Sequence, residues 1–98
     1  MEIIKNVSGE TLTAEVKGIL NTNTAPQLET EIKEIGAEIK RLVLDFAGLE
    51  YISSAGLRVL LIAQKKMNKQ GVMLVKNVNE NVMSVLIMTG FSDILVIE

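Results

Sequence analysis

The sequence lacks cysteine, histidine and tryptophan, and aromatic residues make up only 3% of its 98 residues. Without cysteine the chain forms no disulfide, and without either cysteine or histidine it has no thiolate or imidazole ligand for zinc. The same absences exclude a cysteine nucleophile and a histidine base. We therefore expect no catalytic residue, no metal ligand and no cofactor, and we expect the protein not to be an enzyme.

Basic residues are not in excess, since ten Lys and Arg accompany twelve Asp and Glu and give a net charge of −2. The densest basic run, Lys65, Lys66 and Lys69, is typical of the solvated end of a helix, where cations suit the dipole. Aromatic side chains for stacking on bases are nearly absent. This balance predicts that the protein does not bind nucleic acid.

Long apolar runs are also missing. The longest, residues 82–88, contains Ser84 and is far shorter than the ~18 residues that a membrane-spanning helix requires. The first residues, Met1–Lys5, do not resemble a signal peptide. We therefore expect no membrane insertion and a cytoplasmic location.

What the sequence does contain is enough apolar material for one core. Apolar residues make up 48% of the chain and charged residues 22%, which is ordinary for a globular protein. No linker or low-complexity tract divides the chain. The length and composition predict a single domain over residues 1–98.

Apolar residues recur with the spacing of strands and helices in alternation. Leu12, Ala14 and Val16 alternate with polar residues, as in a strand buried on one face. Strands are predicted at residues 3–7, 11–17, 42–46, 72–75 and 94–97, and helices at about 24–36, 54–70 and 79–88. The predicted fold is α/β, in the order β-β-α-β-α-β-α-β. Short connections between strands and helices favour a mixed, mostly parallel sheet of four to five strands with flanking helices.

Single residues give local predictions. Thr24 and Gln27 have the spacing of a capping box, Asn79 is a candidate helix N-cap, and Gly90 suits a left-handed helix end. Asp45 follows a buried run, where we expect its carboxylate to accept hydrogen bonds at the strand end. We expect four methionines to pack in the core: Met67, Met73, Met83 and Met88.

Two polar clusters, Asn21–Thr24 and Ser53–Ser54, each follow a predicted strand and precede a predicted helix. The carboxyl ends of parallel strands share one edge of a sheet, where α/β folds place binding sites, so we expect the clusters to be neighbours. One interpretation is purely structural, with Ser53 acting as an N-cap worth about 1 kcal/mol. The other is that a serine here carries a phosphate, because free helix N–H groups and the helix dipole favour an anion.

Three stretches carry a family resemblance. Residues 42–61, LVLDFAGLEYISSAGLRVLL, resemble the signature of the STAS domain of bacterial anti-sigma factor antagonists. Residues 18–26, GILNTNTAP, are similar to the upstream motif of the family, and residues 88–91, MTGF, are similar to its downstream landmark. The resemblance implies a STAS-type fold related to SpoIIAA.

The resemblance also implies a partner switch. In the family the unphosphorylated domain binds an anti-sigma factor that is a serine kinase, which frees the sigma factor. Phosphorylation of the serine two residues before the glycine breaks this complex, and a serine phosphatase restores it. That serine corresponds to Ser54. Here Ser53 and Asn21 stand where the family often has aspartate, and Ala55 stands where it has a second serine or threonine.

By this resemblance the phosphorylation site is Ser54. The expected partner-binding residues are Asn21, Thr22, Asn23, Thr24, Ser53, Ser54, Ala55, Gly56, Leu57 and Arg58. An alternative keeps the fold and changes the role: a STAS subunit of an ABC transporter, or a stress-signalling scaffold, that binds its partner without phosphorylation. We expect a binding module in either case.

Overall fold

A hairpin of two antiparallel strands opens the fold. In the computed structural model, which describes residues 1–98, β1 covers Glu2–Ser8 and β2 covers Thr11–Leu20. Leu12, Ala14 and Val16 of β2 are buried, and the residues between them are half-buried. The alternation in the sequence therefore sets which face of the hairpin meets the core, as predicted.

Three further strands complete a five-stranded mixed sheet: β3 at Arg41–Asp45, β4 at Leu49–Ile52 and β5 at Val72–Lys76. The strand order is β1-β2-β3-β5, and all pairs except β1 with β2 are parallel. The long β2 strand has two parallel neighbours, since residues 11–15 pair with β3 and residues 18–20 pair with β4.

Three helices cover the core: α1 at Ala25–Lys33, α2 at Ser54–Asn68 and α3 at Glu80–Met88. Helix α1 packs against α2, α2 contacts β5, and α3 contacts β4. The buried side chains of sheet and helices form one cluster that contains Phe46, the bulkiest fully buried residue. The α/β fold class with a mixed, mostly parallel sheet is confirmed. No helix has both the length and the apolar content that a bilayer crossing requires.

Two strands differ from the predicted order. Strand β4 was not predicted, because it is only four residues long and follows the turn at Ala47–Gly48. A bulge between Gly18 and Ile19 shifts the register of its pairing with β2. The predicted strand at 94–97 is reduced to one bridge, in which Ile97 pairs with Val75. A short 3₁₀ helix at Phe91–Asp93 precedes it, so too few residues lie alongside β5 to form a ladder.

Helix α1 ends earlier than its apolar spacing predicts. It stops at Lys33, although Ile35 and Ile39 beyond it are still buried. The Lys66 ammonium of α2 donates to the carbonyls of Ile32 at 3.0 Å and Lys33 at 3.1 Å. A cation from the neighbouring helix thus bonds the last carbonyls of α1, of which that of Ile32 also accepts from the Ile35 N–H at 3.2 Å.

The predicted capping box at the start of α1 is wrong. Thr24 occupies the N-cap position, but its side chain makes no capping hydrogen bond. Its hydroxyl donates instead to the Ile19 carbonyl at 2.8 Å. The Gln27 amide donates to the Met1 carbonyl at 3.4 Å rather than turning back to the cap. Contacts with the preceding strand and the amino terminus outcompete the local motif.

Other local predictions are confirmed. The Asn79 side chain caps α3 by accepting from the Val82 N–H at 2.8 Å, and Gly90 is left-handed with a φ of 81°. Met67 and Met73 are fully buried, and Met83 is half-buried. Core packing is wrong for Met88, which is 85% exposed at the end of α3, because the helix faces the core with Val82 and Leu86.

Candidate functional site

The structure brings the two polar clusters together. Leu20 and Ile52, the last residues of β2 and β4, are paired in register. Directly after them, the Ser53 N–H donates to the Leu20 carbonyl at 2.9 Å. The loop at Asn21–Thr24, which we call the asparagine loop, therefore lies beside the turn at Ser53–Ser54, which we call the serine turn. The predicted shared edge is confirmed, although β4 supplies it rather than the strand that the sequence indicated.

The asparagine loop is bonded within itself. The Asn21 side-chain oxygen accepts from the N–H groups of Asn23 at 2.9 Å and Thr24 at 3.2 Å. The Thr24 hydroxyl accepts from the Asn21 N–H at 2.8 Å while donating to Ile19. Within the loop, Thr22 and Asn23 are exposed, whereas Asn21 and Thr24 are half-buried. The side chains of Asn21 and Thr24 therefore hold the loop in one shape through hydrogen bonds within the fold.

The serine turn is different, because its side chains have no partner in the fold. Ser53 occupies the N-cap position of α2 in an extended conformation, yet its side chain makes no capping hydrogen bond. The Ser53 hydroxyl oxygen is buried and unpaired. The predicted N-cap position is thus confirmed, but the bond that would give it about 1 kcal/mol is absent. Ser54, the first residue of the helix, is exposed.

The backbone of this turn also has free donors. The Leu57 N–H is the first in the helix to bond, to the Ser53 carbonyl at 3.0 Å. The N–H groups of Ser54, Ala55 and Gly56 precede it and have no backbone acceptor. Such groups, together with the positive end of the helix dipole, favour a negative charge at this position. The turn therefore suits an anion carried by the exposed Ser54 side chain.

Close packing beneath the turn explains its glycine. A Cβ atom at Gly56 would lie 2.7 Å from Leu20 Cγ and 2.8 Å from Ile52 Cγ1. Gly56 and Leu57 are both buried, so these two predicted partner-binding residues hold the turn against the strands. Ala55 is half-buried, and Arg58 is exposed one turn further along the helix.

Sequence reasoning missed an apolar pair next to the site. Ile19 and Tyr51 are paired across β2 and β4, and they are 45% and 53% exposed. Each lies just before one of the two polar segments. The alternation of Ile19 with the buried Leu20 is the signal that could have placed it outside.

Two carboxyl groups, those of Glu29 and Asp45, have a lowered pKa. The Lys33 ammonium, bonded to Glu29 at 2.9 Å, and to a smaller extent the Arg58 guanidinium hold the pKa of Glu29 below its usual range. The Asn77 amide and the Ala47 N–H, both 3.0 Å from Asp45 Oδ1, hold the pKa of Asp45 below its usual range against the opposing effect of burial. Asp45 thus accepts hydrogen bonds at the strand end, as predicted.

A surface pocket lies elsewhere, at the opposite end of β2. Its lining includes Gly9, Leu12 and Ile39 together with acidic residues at the end of α1. There Lys5 forms an ion pair with Glu31. None of its lining residues belongs to the asparagine loop or the serine turn, so the candidate site is a surface and not a cavity.

The STAS domain family matches residues 2–98, nearly the whole chain. The chain belongs to the STAS family. Among its relatives, a Bordetella bronchiseptica protein named as an anti-sigma factor antagonist, BtrV, is 38% identical over 85 residues. The match covers 85% of this STAS chain and 73% of that protein. The chain thus groups with the anti-sigma factor antagonists.

Solved structures share the fold at lower identity. An anti-sigma factor antagonist from Mycobacterium paratuberculosis has a TM-score of 0.88 and 23% identity, covering 98% of this chain and 83% of that one. A sulfate transporter family protein from Wolinella succinogenes has a TM-score of 0.80 and 22% identity, covering 95% and 80%. The STAS fold therefore occurs with more than one role, and the fold alone does not choose between them.

Proposed function

We propose that this STAS chain, working as a single domain, is an anti-sigma factor antagonist switched by phosphorylation of Ser54. Unphosphorylated, it binds an anti-sigma factor that is also a serine kinase, and this binding releases the sigma factor. The observation that supports the proposal is the exposed Ser54 at the first position of α2, where two loops meet. The name of the Bordetella bronchiseptica relative favours the same role.

The modification is a phosphoryl transfer. The Ser54 hydroxyl oxygen attacks the γ-phosphorus of ATP, and the bond from that phosphorus to the bridging oxygen breaks, which leaves ADP. The hydroxyl proton passes to a base of the kinase. A serine phosphatase reverses the state by adding water across the new oxygen–phosphorus bond, which releases inorganic phosphate and restores the hydroxyl.

The added charge is large relative to the charge of the chain. The net charge goes from −2 to about −4 at pH 7. A phosphate in the middle of a docking face must lose its water or meet like charge, which costs several kcal/mol. A loss of about 4 kcal/mol corresponds to about a thousandfold in affinity, enough to separate bound and free states.

The test is phosphorylation in vitro. The purified chain is incubated with ATP and each serine kinase of the anti-sigma factor class from the same genome, and its intact mass is measured. We expect one phosphoryl group on the wild type and on Ser53→Ala, because the Ser53 hydroxyl is buried, and none on Ser54→Ala.

No phosphate on the wild type would overturn the proposed switch. That outcome would favour a transporter subunit or a stress-signalling scaffold that docks without phosphorylation. The shared fold of the Wolinella succinogenes sulfate transporter family protein makes this the alternative to test.

A further inference from the structure

Arg58 is the nearest basic residue to Ser54 along the first turns of α2. It lies four residues after Ser54, and both side chains are exposed. The next basic residues of the helix, Lys65 and Lys66, lie in its last turn. Residues four apart occupy the same face of a helix, with Cβ atoms about 5–6 Å from each other. Arg58 therefore shares the exposed face of the proposed phosphorylation site.

The Arg58 guanidinium is free in the unphosphorylated protein. It forms neither of the two ion pairs in the structure, Lys5 with Glu31 and Lys33 with Glu29, and it donates no side-chain hydrogen bond. The Arg58 charge helps to lower the pKa of Glu29 of α1, but the Glu29 carboxylate already forms an ion pair with Lys33. A free guanidinium next to a docking edge is available to an acidic group of a partner.

We propose that Arg58 binds the phosphoryl group once Ser54 is modified. This inference rests on the proposed function and adds a second effect to it. Phosphorylation adds negative charge to the docking face and also withdraws a free cation, the Arg58 guanidinium, from the partner. One modification then removes an attraction as well as creating a repulsion.

The geometry favours this pairing in three ways. Helix side chains lean toward the amino terminus, so an arginine at position 58 can reach the turn that holds Ser54. An acid four residues before a base is the better order for an ion pair on a helix, because each charge also suits the dipole. Arginine bonds phosphate through two parallel N–H groups, which a lysine cannot reproduce.

The test measures the second pKa of phosphoserine at position 54. Phosphoserine is installed during translation at a reassigned stop codon, so no kinase is needed, and the phosphorus NMR shift is followed with pH at low salt. An ordinary phosphoserine has a second pKa of about 6. We expect the wild-type value to lie about half a unit or more below that of Arg58→Gln, because the guanidinium favours the dianion.

The chain supplies a matched control, since its other arginine, Arg41, is exposed at the start of β3, far from the serine turn. We expect the second pKa of phosphoserine at position 54 to be the same in Arg41→Gln as in the wild type. In Arg58→Lys this pKa should lie between the values of the wild type and Arg58→Gln. Raising the salt concentration to about 0.5 M should shrink the difference by screening.

Equal phosphoserine titration in the wild type and Arg58→Gln would overturn the inference. The kinase assay is independent of this result, because the phosphate here is installed without a kinase. A chain that no kinase modifies would therefore lose the proposed function while the Arg58 titration stayed interpretable.

Discussion

The asparagine loop and the serine turn occupy equivalent places in the fold, yet they use their polar groups in opposite ways. Each follows a parallel strand and starts a helix, and neither makes a side-chain cap bond at the N-cap position. In the asparagine loop, Asn21 and Thr24 bond to each other and to the backbone around them. In the serine turn, the Ser53 hydroxyl has no partner and Ser54 faces solvent.

This difference separates an internally bonded loop from a turn whose polar groups have no partner within the fold. A buried hydrogen bond stabilises the fold, whereas an unpaired buried hydroxyl costs free energy. Under the proposed function, the bonded loop would fix the shape of the docking face, and the turn would change its charge. Substitutions in the two segments should separate these roles.

The largest loss of stability should come from filling the space where the two segments meet. In Gly56→Ala the new Cβ would press on Leu20 and Ile52, which are both buried. We expect the free energy of unfolding to fall by about 1–3 kcal/mol, even though alanine favours a helix. Urea denaturation measures this.

Gly36→Ala is the control for that substitution, since the three atoms nearest to its Cβ would all belong to the flexible carboxylate end of Glu38. It should change the free energy of unfolding by less than about 0.5 kcal/mol. Equal losses in Gly56→Ala and Gly36→Ala would contradict the close packing under the turn.

Thr24→Val should damage the asparagine loop. Valine keeps the shape but loses the bond to the Ile19 carbonyl and the bond from the Asn21 N–H, each 2.8 Å long. We expect a loss of about 1–2 kcal/mol in the free energy of unfolding. An unchanged denaturation midpoint would mean that the loop does not depend on these bonds.

The Asp45 carboxylate accepts hydrogen bonds from the Ala47 N–H and the Asn77 amide, and it should stabilise the fold only when it is ionised. Its pKa is lowered in the fold, so its stabilisation is present above about pH 5 and is lost as the pH falls through the lowered value. We expect Asp45→Asn to be less stable than the wild type at pH 7 by about 0.5–1 kcal/mol. The two proteins should converge toward about pH 2, as thermal denaturation across pH would show. A pH-independent difference would assign the effect to shape instead of charge.

The smallest change in the free energy of unfolding should come from Ser53→Ala in the serine turn. Ser53→Ala removes a hydroxyl that bonds to nothing. We expect the free energy of unfolding to change by less than about 0.5 kcal/mol or to rise slightly. A loss as large as that of Thr24→Val would show that the two segments are bonded alike and would remove the contrast between them.

The sequence was informative where a pattern is local or repeated. Alternation placed the buried face of β2, the amide of Asn79 marked the start of α3, and the motif around Ser54 indicated the family. It was uninformative where distant groups compete. The Thr24 hydroxyl bonds to a strand carbonyl instead of capping a helix, and Lys66 of α2 bonds the carbonyls at the end of α1.

Strand β4 and the unpaired Ser53 hydroxyl were missed for the same reason, since both depend on contacts between separate elements. Strand β4 pairs with residues 18–20 at the end of β2, beyond the residues that pair with β3. The unpaired Ser53 hydroxyl depends on how the strand end sits against the helix start. Neither arrangement can be obtained from spacing along the chain.

The most direct measurement of the central claim is the affinity of this chain for the anti-sigma factor kinase of its own genome, with serine or phosphoserine at position 54, by titration calorimetry. We expect phosphoserine to weaken binding by about a thousandfold. Equal affinity of the two forms would contradict the claim that charge at Ser54 controls docking.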